Sequence, residues 1–447
     1  MKIKRILTLA IGMAVVAPLA ACSAGGSDAA DGGGGTVQWW TWDDKQAVSY
    51  KKCIAPFEAA NPDIKVEISQ YAWDDYWTKI TTGFVAGTAP DAFQNNVSYY
   101  PEYVDQGQLL ALDDKIAETK FDLAAIGTGV GAWTYKDDSL YGIPMDWATV
   151  GHFYNETYLA DAGLTTDDID TMTWNPKDGG TFDKVVARLT VDANGVRGDE
   201  AGFDKSKVAV YGAGSIGTNG LNGQDSWAGF LSTTGWTLGN DANWPTSFEY
   251  EAPEFVAAMN YFKSLSDRGF TPREGDFTQG AVEQLGSGKV AMVVGGSWYA
   301  PSFNALPGIE VGIAPSVLGD NGKRSGLTNS NANSIWKNGP RIDNAWEWVS
   351  FMGSEECQSI AGADGTFFPS IEASMAITEA AMLEQGIDLA PYTAQFADGS
   401  LFTTPMFSHG QELGSTIQPM FQGFFNGERG DDVFAEMSEA SRQILAD

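Results

Sequence analysis

The stretch that most constrains the fold is an alternation of strand, helix and strand directly after residue 35. Residues 36–41 (TVQWWT) have the β-branched and aromatic character of a strand, and the following residues 46–60 are typical of a helix. Asn61-Pro62-Asp63 ends that helix, and residues 64–71 alternate in polarity as a second strand. This strand-helix-strand order predicts a parallel sheet within an α/β fold, because parallel strands need a crossover connection.

Polar and aromatic side chains follow the carboxyl ends of the predicted strands. In such sheets ligands bind outside these ends, which places Trp42, Asp43 and Asp44 at a cleft. One of the two aspartates would alternatively cap the helix that follows. Asn95 and Asn96 end a later strand, and their amides suit sugar hydroxyls, with an Asn-rich turn as the alternative.

Residues 139–155 (SLYGIPMDWATVGHFYN) combine a buried pattern with two groups that a core would not choose. The pattern predicts two short strands, residues 140–144 and 147–153, with a corner between them. Asp146 and Trp147 stand side by side at this corner. A Trp can stack on a ligand while a carboxylate accepts its hydroxyls, but a core Trp beside a turn Asp explains the pattern equally well.

Further candidates for ligand binding occur later in the chain. Asn219 and Trp227 follow a strand predicted over residues 208–212, and both could face a cleft, although Trp227 also suits a core. Residues 288–298 (GKVAMVVGGSW) contain glycines that let the backbone turn sharply. Trp298 then stands at a helix N-terminus near a strand end, which makes it a further candidate.

The N-terminus has the parts of a bacterial signal peptide. Basic residues precede an apolar run over residues 6–21, and small residues precede Cys22. The sequence LAAC at 19–22 resembles the lipobox of bacterial lipoproteins, which implies removal of residues 1–21 and lipidation of Cys22 with acyl chains such as palmitate. An ordinary signal peptide with a chance cysteine is the alternative. Residues 22–35 would then form a flexible tether rich in Gly, Ser and Asp.

The charge balance argues against several classes of partner. The chain has 27 Lys and Arg against 58 Asp and Glu, and its formal net charge is −31. This acidity argues against nucleic acid and against electrostatic attachment to anionic lipid. Two His residues and the lack of a Cys cluster argue against a transition-metal site, so we expect neither a metal nor a cofactor.

Several motifs, taken in order, resemble the extracellular solute-binding proteins that capture ligands for ABC-type importers. Residues 141–144 (YGIP), followed by a strand that ends in Tyr154-Asn155, resemble the first crossover between the two lobes of that family. NPDIKV at 61–66 and GKVAMVVGGSW at 288–298 are similar to further family motifs. The order and spacing of these motifs are most similar to the branch that binds sugars and oligosaccharides.

The resemblance implies an α/β fold of two lobes that are joined by three crossing segments, with a central cleft between the strand ends. The implied first lobe comprises residues 36–148 and 319–364. The implied second lobe comprises residues 149–318 and 365–447.

The implied second and third crossovers add two candidates to the site. Residues 327–337 resemble the second crossover and place Asn329 in the cleft, and residues 365–370 resemble the third and bring Phe368 toward it. In sugar-binding members of the family, an aromatic residue at the position of Trp298 stacks on a pyranose. The predicted ligand-binding residues are therefore Trp42, Asp43, Asn95, Asn96, Asp146, Trp147, Asn219, Trp227, Trp298, Asn329 and Phe368.

Two further cysteines, Cys53 and Cys357, lie in predicted helices. The expected compartment is oxidising, so a disulfide bond and a pair of buried thiols are both open. In the family both helices would belong to the first lobe, so a disulfide between them would not lock the hinge.

The resemblance implies a binding protein rather than an enzyme. Such a protein would capture an extracellular oligosaccharide by hinged closure and deliver it to an ABC permease, as a monomer anchored to the outer face of the cell membrane. One alternative is a lipid-anchored glycoside hydrolase, since acids near aromatic residues suit that chemistry. Another is a binder of a cationic amine or peptide, since a cation could sit in an aromatic box.

Overall fold

The structure is a computed structural model that describes residues 34–217, 221–277, 280–397 and 399–446. The predicted signal peptide, Cys22, nearly all of the predicted tether and the candidate Asn219 lie outside these residues. Within the described ranges, none of the helices combines the length and the apolar character that crossing a membrane requires.

The strands carry the positions that later form the site. In chain order they are β1 Gly35–Thr41, β2 Ile64–Gln70, β3 Ala92–Asn96, β4 Ile143–Asn155, β5 Val191–Asp192, β6 Val208–Val210, β7 Met292–Gly296, β8 Val311–Ala314, β9 Gly326–Ile335, β10 Phe368–Pro369 and β11 Leu401–Thr403. The main sheet follows the order β10-β4-β9-β3-β1-β2, with β7 and β8 paired to β4 and β11 paired to β9.

Helices cover the sheet. They are α1 Asp44–Ala60, α2 Trp73–Ala86, α3 Tyr100–Asp105, α4 Asp113–Thr119, α5 Glu156–Asp161, α6 Thr166–Asp170, α7 Gly180–Leu189, α8 Ala228–Leu231, α9 Pro253–Arg268, α10 Ala281–Gly286, α11 Ala300–Asn304, α12 Ile342–Met352, α13 Glu355–Gly362, α14 Glu372–Glu384, α15 Ala390–Ala397, α16 Gly410–Phe425 and α17 Asp432–Leu445. Single 3₁₀ turns lie at Leu123–Ala125, Val130–Trp133, Ser232–Thr234 and Ser297–Tyr299.

The predicted strand-helix-strand opening is present in the structure. β1 pairs in parallel with both β2 and β3, and α1 makes the crossover to β2. The Asp43 side chain caps α1 by accepting from the backbone N–H groups of Lys45 and Gln46, and Asn61 ends the helix. Trp39 anchors β1 in the core, where its Nε1 donates to Asn333 Oδ1 of β9 at 2.8 Å.

One long strand, β4, replaces the two short strands and the corner that the sequence predicts over residues 140–153. Every residue of β4 is buried. Its first half pairs with β9 and its second half pairs with β7 and β8, all antiparallel. The pairing of β4 with β9 shifts register between Pro144 and Asp146, which is where the sequence pattern predicts a corner. Paired strands therefore satisfy the backbone along β4, which lets it stay continuous.

Two hydrophobic regions lie on either side of the middle of β4. We call the region around β1, β2, β3, α1, α12 and α13 the first core. The second core comprises the clusters on the two faces of the sheet formed by β7, β4 and β8. Three segments pass between the cores, and their paired first-core and second-core residues are Met145 and Val150 in β4, Ala332 and Leu327 in β9, and Phe367 and Phe368 at β10. The predicted α/β architecture of two lobes with three crossing segments is thus confirmed.

A disulfide bond ties two helices of the first core. It joins Cys53 of α1 to Cys357 of α13, with 5.4 Å between their Cα atoms. Both residues are fully buried. Of the two possibilities that the sequence leaves open, the structure contains the disulfide, and it lies within one core rather than across the crossing segments.

Candidate ligand-binding cleft

A cavity of about 600 Å³ opens where the carboxyl ends of β1 and β3 meet the crossing segments. This is the position that parallel strand ends are expected to offer to a ligand. Both lobes contribute residues to it. The lining residues are Trp42, Asp43, Gln46, Trp73, Asn96, Ser98, Tyr99, Asp146, Trp147, Ala148, Leu221, Asn222, Gln224, Asp225, Ser297, Trp298, Tyr299, Asn329, Asn331, Phe367, Phe368, Phe407 and Gly410.

Stacked aromatic rings form the wall of the cleft on the side of the first core. Trp42, directly after β1, packs edge-on against Trp73 with ring centroids 5.1 Å apart, and it also contacts Trp77 at 5.3 Å. Trp77 in turn stacks on Tyr99 with centroids 3.7 Å apart. Trp73 remains 42% exposed although three of these rings surround it. The wall therefore presents a large apolar face whose rings hold one another in place.

The facing wall belongs to the second core. Trp298 follows β7 in a short 3₁₀ turn, and its ring lies 5.4 Å from that of Tyr299. Trp147 of β4 is nearly buried, because its ring packs between Phe368 at 4.9 Å and Phe396 at 4.8 Å. A flat ligand that enters the cleft would thus meet aromatic rings on two sides.

A network of buried and half-buried amides surrounds Asp146 at the floor of the cleft. Asp146 Oδ1 accepts from the backbone N–H and the Nδ2 of Asn331, at 3.0 and 2.9 Å. Its Oδ2 accepts from Gln46 Nε2 at 2.9 Å. Asn96 Nδ2 donates to Asn331 Oδ1 at 2.9 Å, and Gln94 Nε2 donates to Gln46 Oε1 at 2.8 Å. These bonds fix the orientation of each amide and make Asp146 the acceptor at which the network converges.

Both carboxylates of the floor are harder to ionise than usual. Burial raises the pKa of Asp146 to about 6, against the opposing effect of the hydrogen bonds from Asn331 and Gln46. The charge of Asp43 raises it further. Burial also raises the pKa of Asp43, although its Oδ1 accepts from two backbone N–H groups at the start of α1. Among the described residues, His, Cys, Asp and Glu form no group of three that could hold a metal ion.

Ionisation of the buried Asp146 destabilises the folded chain as pH rises, and we expect Asp146→Asn to remove this pH dependence. The pKa of Asp146 is about 6 in the folded chain against 3.8 for a free side chain, so the folded state binds more protons between these values. The contribution of Asp146 to the free energy of unfolding then falls as pH rises through this window, by about 3 kcal/mol. In denaturant titrations, the stability of the variant relative to the parent chain should increase from about pH 4 to pH 7. A difference that does not change with pH would contradict this.

The cleft brings together most of the residues that the sequence singles out. Those that line it are Trp42, Asp43, Asn96, Asp146, Trp147, Trp298, Asn329 and Phe368. Asp43 both lines the cleft and caps α1, since its Oδ1 accepts from two backbone N–H groups at the start of that helix. Asn219 falls outside the described residues.

Two predicted residues lie elsewhere. Asn95 is fully buried, and its side chain donates to Ser334 Oγ at 3.2 Å and accepts from the backbone N–H of Asn96. Successive side chains of a strand point to opposite faces, so only one of the two asparagines can reach the cleft. Trp227 is also fully buried, with Phe255 at 5.3 Å and Trp236 at 5.8 Å. Of the two positions that the sequence leaves open for Trp227, the core and the cleft, the structure therefore shows the core.

Several other residues that line the cleft were not predicted from the sequence. Trp73 and Tyr99 follow the carboxyl ends of β2 and β3, so the rule that selected Trp42 would have selected them as well. Tyr299 directly follows Trp298 in the chain, and this position beside a predicted cleft residue was the sequence signal that could have identified it. Asp225 and Phe407 reach the cleft from loops, for which no local pattern in the sequence gives a position.

Comparison with known proteins places this geometry in a family. The model of the bacterial extracellular solute-binding protein family matches residues 52–385. The arabinooligosaccharide-binding protein of Bacillus subtilis is 23% identical over 381 residues, which cover 80% of this chain and 78% of that protein. The galactooligosaccharide-binding protein of the same organism is 22% identical over 437 residues, which cover 95% and 94% of the two chains.

Solved structures share the fold. UspC of M. tuberculosis has a TM-score of 0.71 and 25% identity, with coverage of 92% of this chain and 100% of that one. An ABC substrate-binding protein from Listeria monocytogenes in complex with cycloalternan has a TM-score of 0.78 and 20% identity, with coverage of 92% and 99%. Because the family model spans most of the chain, and the two-lobed fold and the cleft agree with it, this chain belongs to the bacterial extracellular solute-binding protein family.

Proposed function

We propose that this chain captures an extracellular oligosaccharide in the cleft and delivers it to an ABC-type permease. The observation that carries this proposal is the pair of aromatic walls, with Trp42 and Trp73 on one side and Trp298 on the other, above a floor of amides and carboxylates. Sugar rings have apolar faces that stack on aromatic rings and hydroxyls that bond to such a floor. A volume of about 600 Å³ suits a ligand of a few rings. The names of the Bacillus relatives support the same ligand class.

Closure would occur by rotation about the three crossing segments. The two walls belong to different cores, so a ligand that touches both favours the conformation in which they approach each other. A direct hydrogen bond joins the two sides of the molecule outside the cleft lining, where Lys45 Nζ of α1 donates to Ser302 Oγ of α11 at 2.8 Å. We propose that the two moving lobes correspond to the two cores, and that the chain passes from one lobe to the other between Met145 and Val150, between Leu327 and Ala332, and between Phe367 and Phe368.

The experiment that tests this function is a titration of tryptophan fluorescence with a panel of neutral oligosaccharides. The protein is residues 23–447, and each glycan is recovered afterwards and checked for its length by mass spectrometry. A saturable change with a glycan that is recovered intact supports the proposal. Shortened products would identify a glycoside hydrolase instead, and a response only to amines or peptides without sugar rings would overturn the ligand class.

We also propose that the protein is a monomer held at the outer face of the cell membrane by lipidated Cys22. The support is the LAAC sequence at 19–22, which follows the apolar run. Cys22→Ser should leave the protein without acyl chains, so that it leaves the membrane fraction while retaining its affinity for glycan. Membrane fractionation and mass spectrometry of the N-terminal peptide measure this, and a variant that remains in the membrane fraction would contradict it.

A further inference from the structure

The charged side chains that line the cleft all have the same sign. They are Asp43, Asp146 and Asp225, and none of the described lining residues is Lys, Arg or His. A carboxylate can only accept hydrogen bonds, so this cleft is rich in acceptors and in negative charge. A neutral ligand would bring no positive charge to offset the carboxylates of Asp43 and Asp146.

Neither Asp43 nor Asp146 forms an ion pair with another of the described residues. Asp146 is 2% exposed, and the partners described for it are uncharged amides of Gln46 and Asn331. Asp43 accepts from backbone N–H groups, and the ammonium of the neighbouring Lys45 is directed to Ser302 Oγ at 2.8 Å. The attraction of Lys45 is the weakest of the influences described on the pKa of Asp43. A buried charge such as Asp146 and a half-buried one such as Asp43 are attracted to an approaching cation more strongly than exposed carboxylates are.

The walls favour a cation as well. The faces of Trp and Tyr rings carry partial negative charge and attract cations. Trp42, Trp73 and Tyr99 form such a surface on one side of the carboxylates, and Trp298 and Tyr299 form one on the other. Acceptors at the floor and rings at the walls therefore select the same kind of group.

The side-chain amides at the floor already donate hydrogen bonds to other side chains of the protein. Gln46 Nε2 and Asn331 Nδ2 donate to Asp146, and Asn96 Nδ2 donates to Asn331. The described lining contains no guanidinium or ammonium group, which would be the strong donor for the ring oxygens and hydroxyl oxygens of a neutral sugar. A charged donor in this cleft would therefore have to come from the ligand.

We propose that the cleft is selective for oligosaccharides that carry a protonated amine, which lies between the floor carboxylates and the aromatic walls. This inference rests on the proposed function, since it names the chemical class of the glycan that the same cleft takes. The sugar rings stack on the walls, and the ammonium group donates to the carboxylates in a charge-assisted bond.

The test compares three glycans that share one backbone and differ only at carbon 2: chitotriose, cellotriose and tri-N-acetylchitotriose. They carry an amine, a hydroxyl and an acetamide at that carbon. Isothermal titration of residues 23–447 at neutral pH should show chitotriose binding at least about tenfold more tightly than the other two. Higher salt should weaken chitotriose selectively, because it screens the charge of the amine.

A charge-removing variant assigns the effect to the cleft. Asp43→Asn keeps a side-chain oxygen that can cap α1, because Asn is as good an N-cap as Asp, and removes only the charge. We expect it to lose most of the preference for chitotriose over cellotriose. Asp63→Asn is the control, because this exposed residue lies outside the cleft and its substitution changes the net charge equally.

The outcomes separate this inference from the proposed function. If cellotriose or tri-N-acetylchitotriose binds as tightly as chitotriose, or if a neutral glycan of the panel binds and chitotriose does not, amine selectivity is wrong and oligosaccharide binding stands. A preference that Asp43→Asn and Asp63→Asn reduce equally would also overturn the assignment to the cleft. If the chain binds none of these trisaccharides and no neutral glycan of the panel, the proposed function fails together with the inference.

Discussion

The double variant Cys53→Ala/Cys357→Ala should lose about 4 kcal/mol of its free energy of unfolding. The disulfide joins residues separated by 304 positions, so it removes a large share of the freedom that the unfolded chain would otherwise have. Alanine is the suitable replacement because both sites are fully buried, and a serine hydroxyl would add a desolvation penalty of its own. Denaturant titration followed by circular dichroism measures the loss.

The same experiment contains its control. A reducing agent should lower the stability of the parent chain toward that of the double variant, and it should leave the variant unchanged. Affinity for glycan should be the same in both proteins at temperatures where both are folded, because the disulfide lies inside the first core and outside the cleft. Equal unfolding midpoints for the parent chain and the variant under oxidising conditions would show that the bond does not stabilise the fold.

The sequence predicts the architecture well where a pattern is local. The order of strand, helix and strand from residue 36 specifies parallel pairing, because a helix can connect two strands of one sheet in few other ways. β4 shows where this reasoning ends. Residues 143–155 form one strand because four other strands (β7, β8, β9 and β10) pair along it, and these partners lie more than a hundred residues away in the chain. No local pattern contains that information.

The site shows the same division. Strand ends point to Trp42 and Asp43, but the alternation of side chains along a strand decides between Asn95 and Asn96, and the register of β3 against β9 sets that alternation. Trp227 was ambiguous because a Trp suits a core and a binding wall equally well. Its burial depends on α9 and α16, whose aromatic side chains surround it.

Trp298→Ala should weaken binding of the glycan found in the titration by about 30- to 150-fold. The ring of Trp298 is only partly buried in its own lobe and lines the cleft, so most of what is lost is contact with the ligand. Truncation of a Trp at the centre of a binding surface typically weakens binding by about 2–3 kcal/mol, which corresponds to this range. Isothermal titration measures the affinity, and a thermal melt verifies that the variant is folded.

The position of the ring can be tested without removing it. A Cβ atom at Gly296 would stand 2.1 Å from carbon atoms of the Trp298 ring, so Gly296→Ala must push the ring out of its place. Because the ring borders the cleft, it can swing away, and we expect a loss of affinity that approaches that of Trp298→Ala. Gly414→Ala is the matched control, since a Cβ there meets nothing within 4 Å. If Gly296→Ala binds as tightly as this control while Trp298→Ala does not, the ring acts from more than one position, and the cleft selects its ligand by the presence of an aromatic residue rather than by its placement.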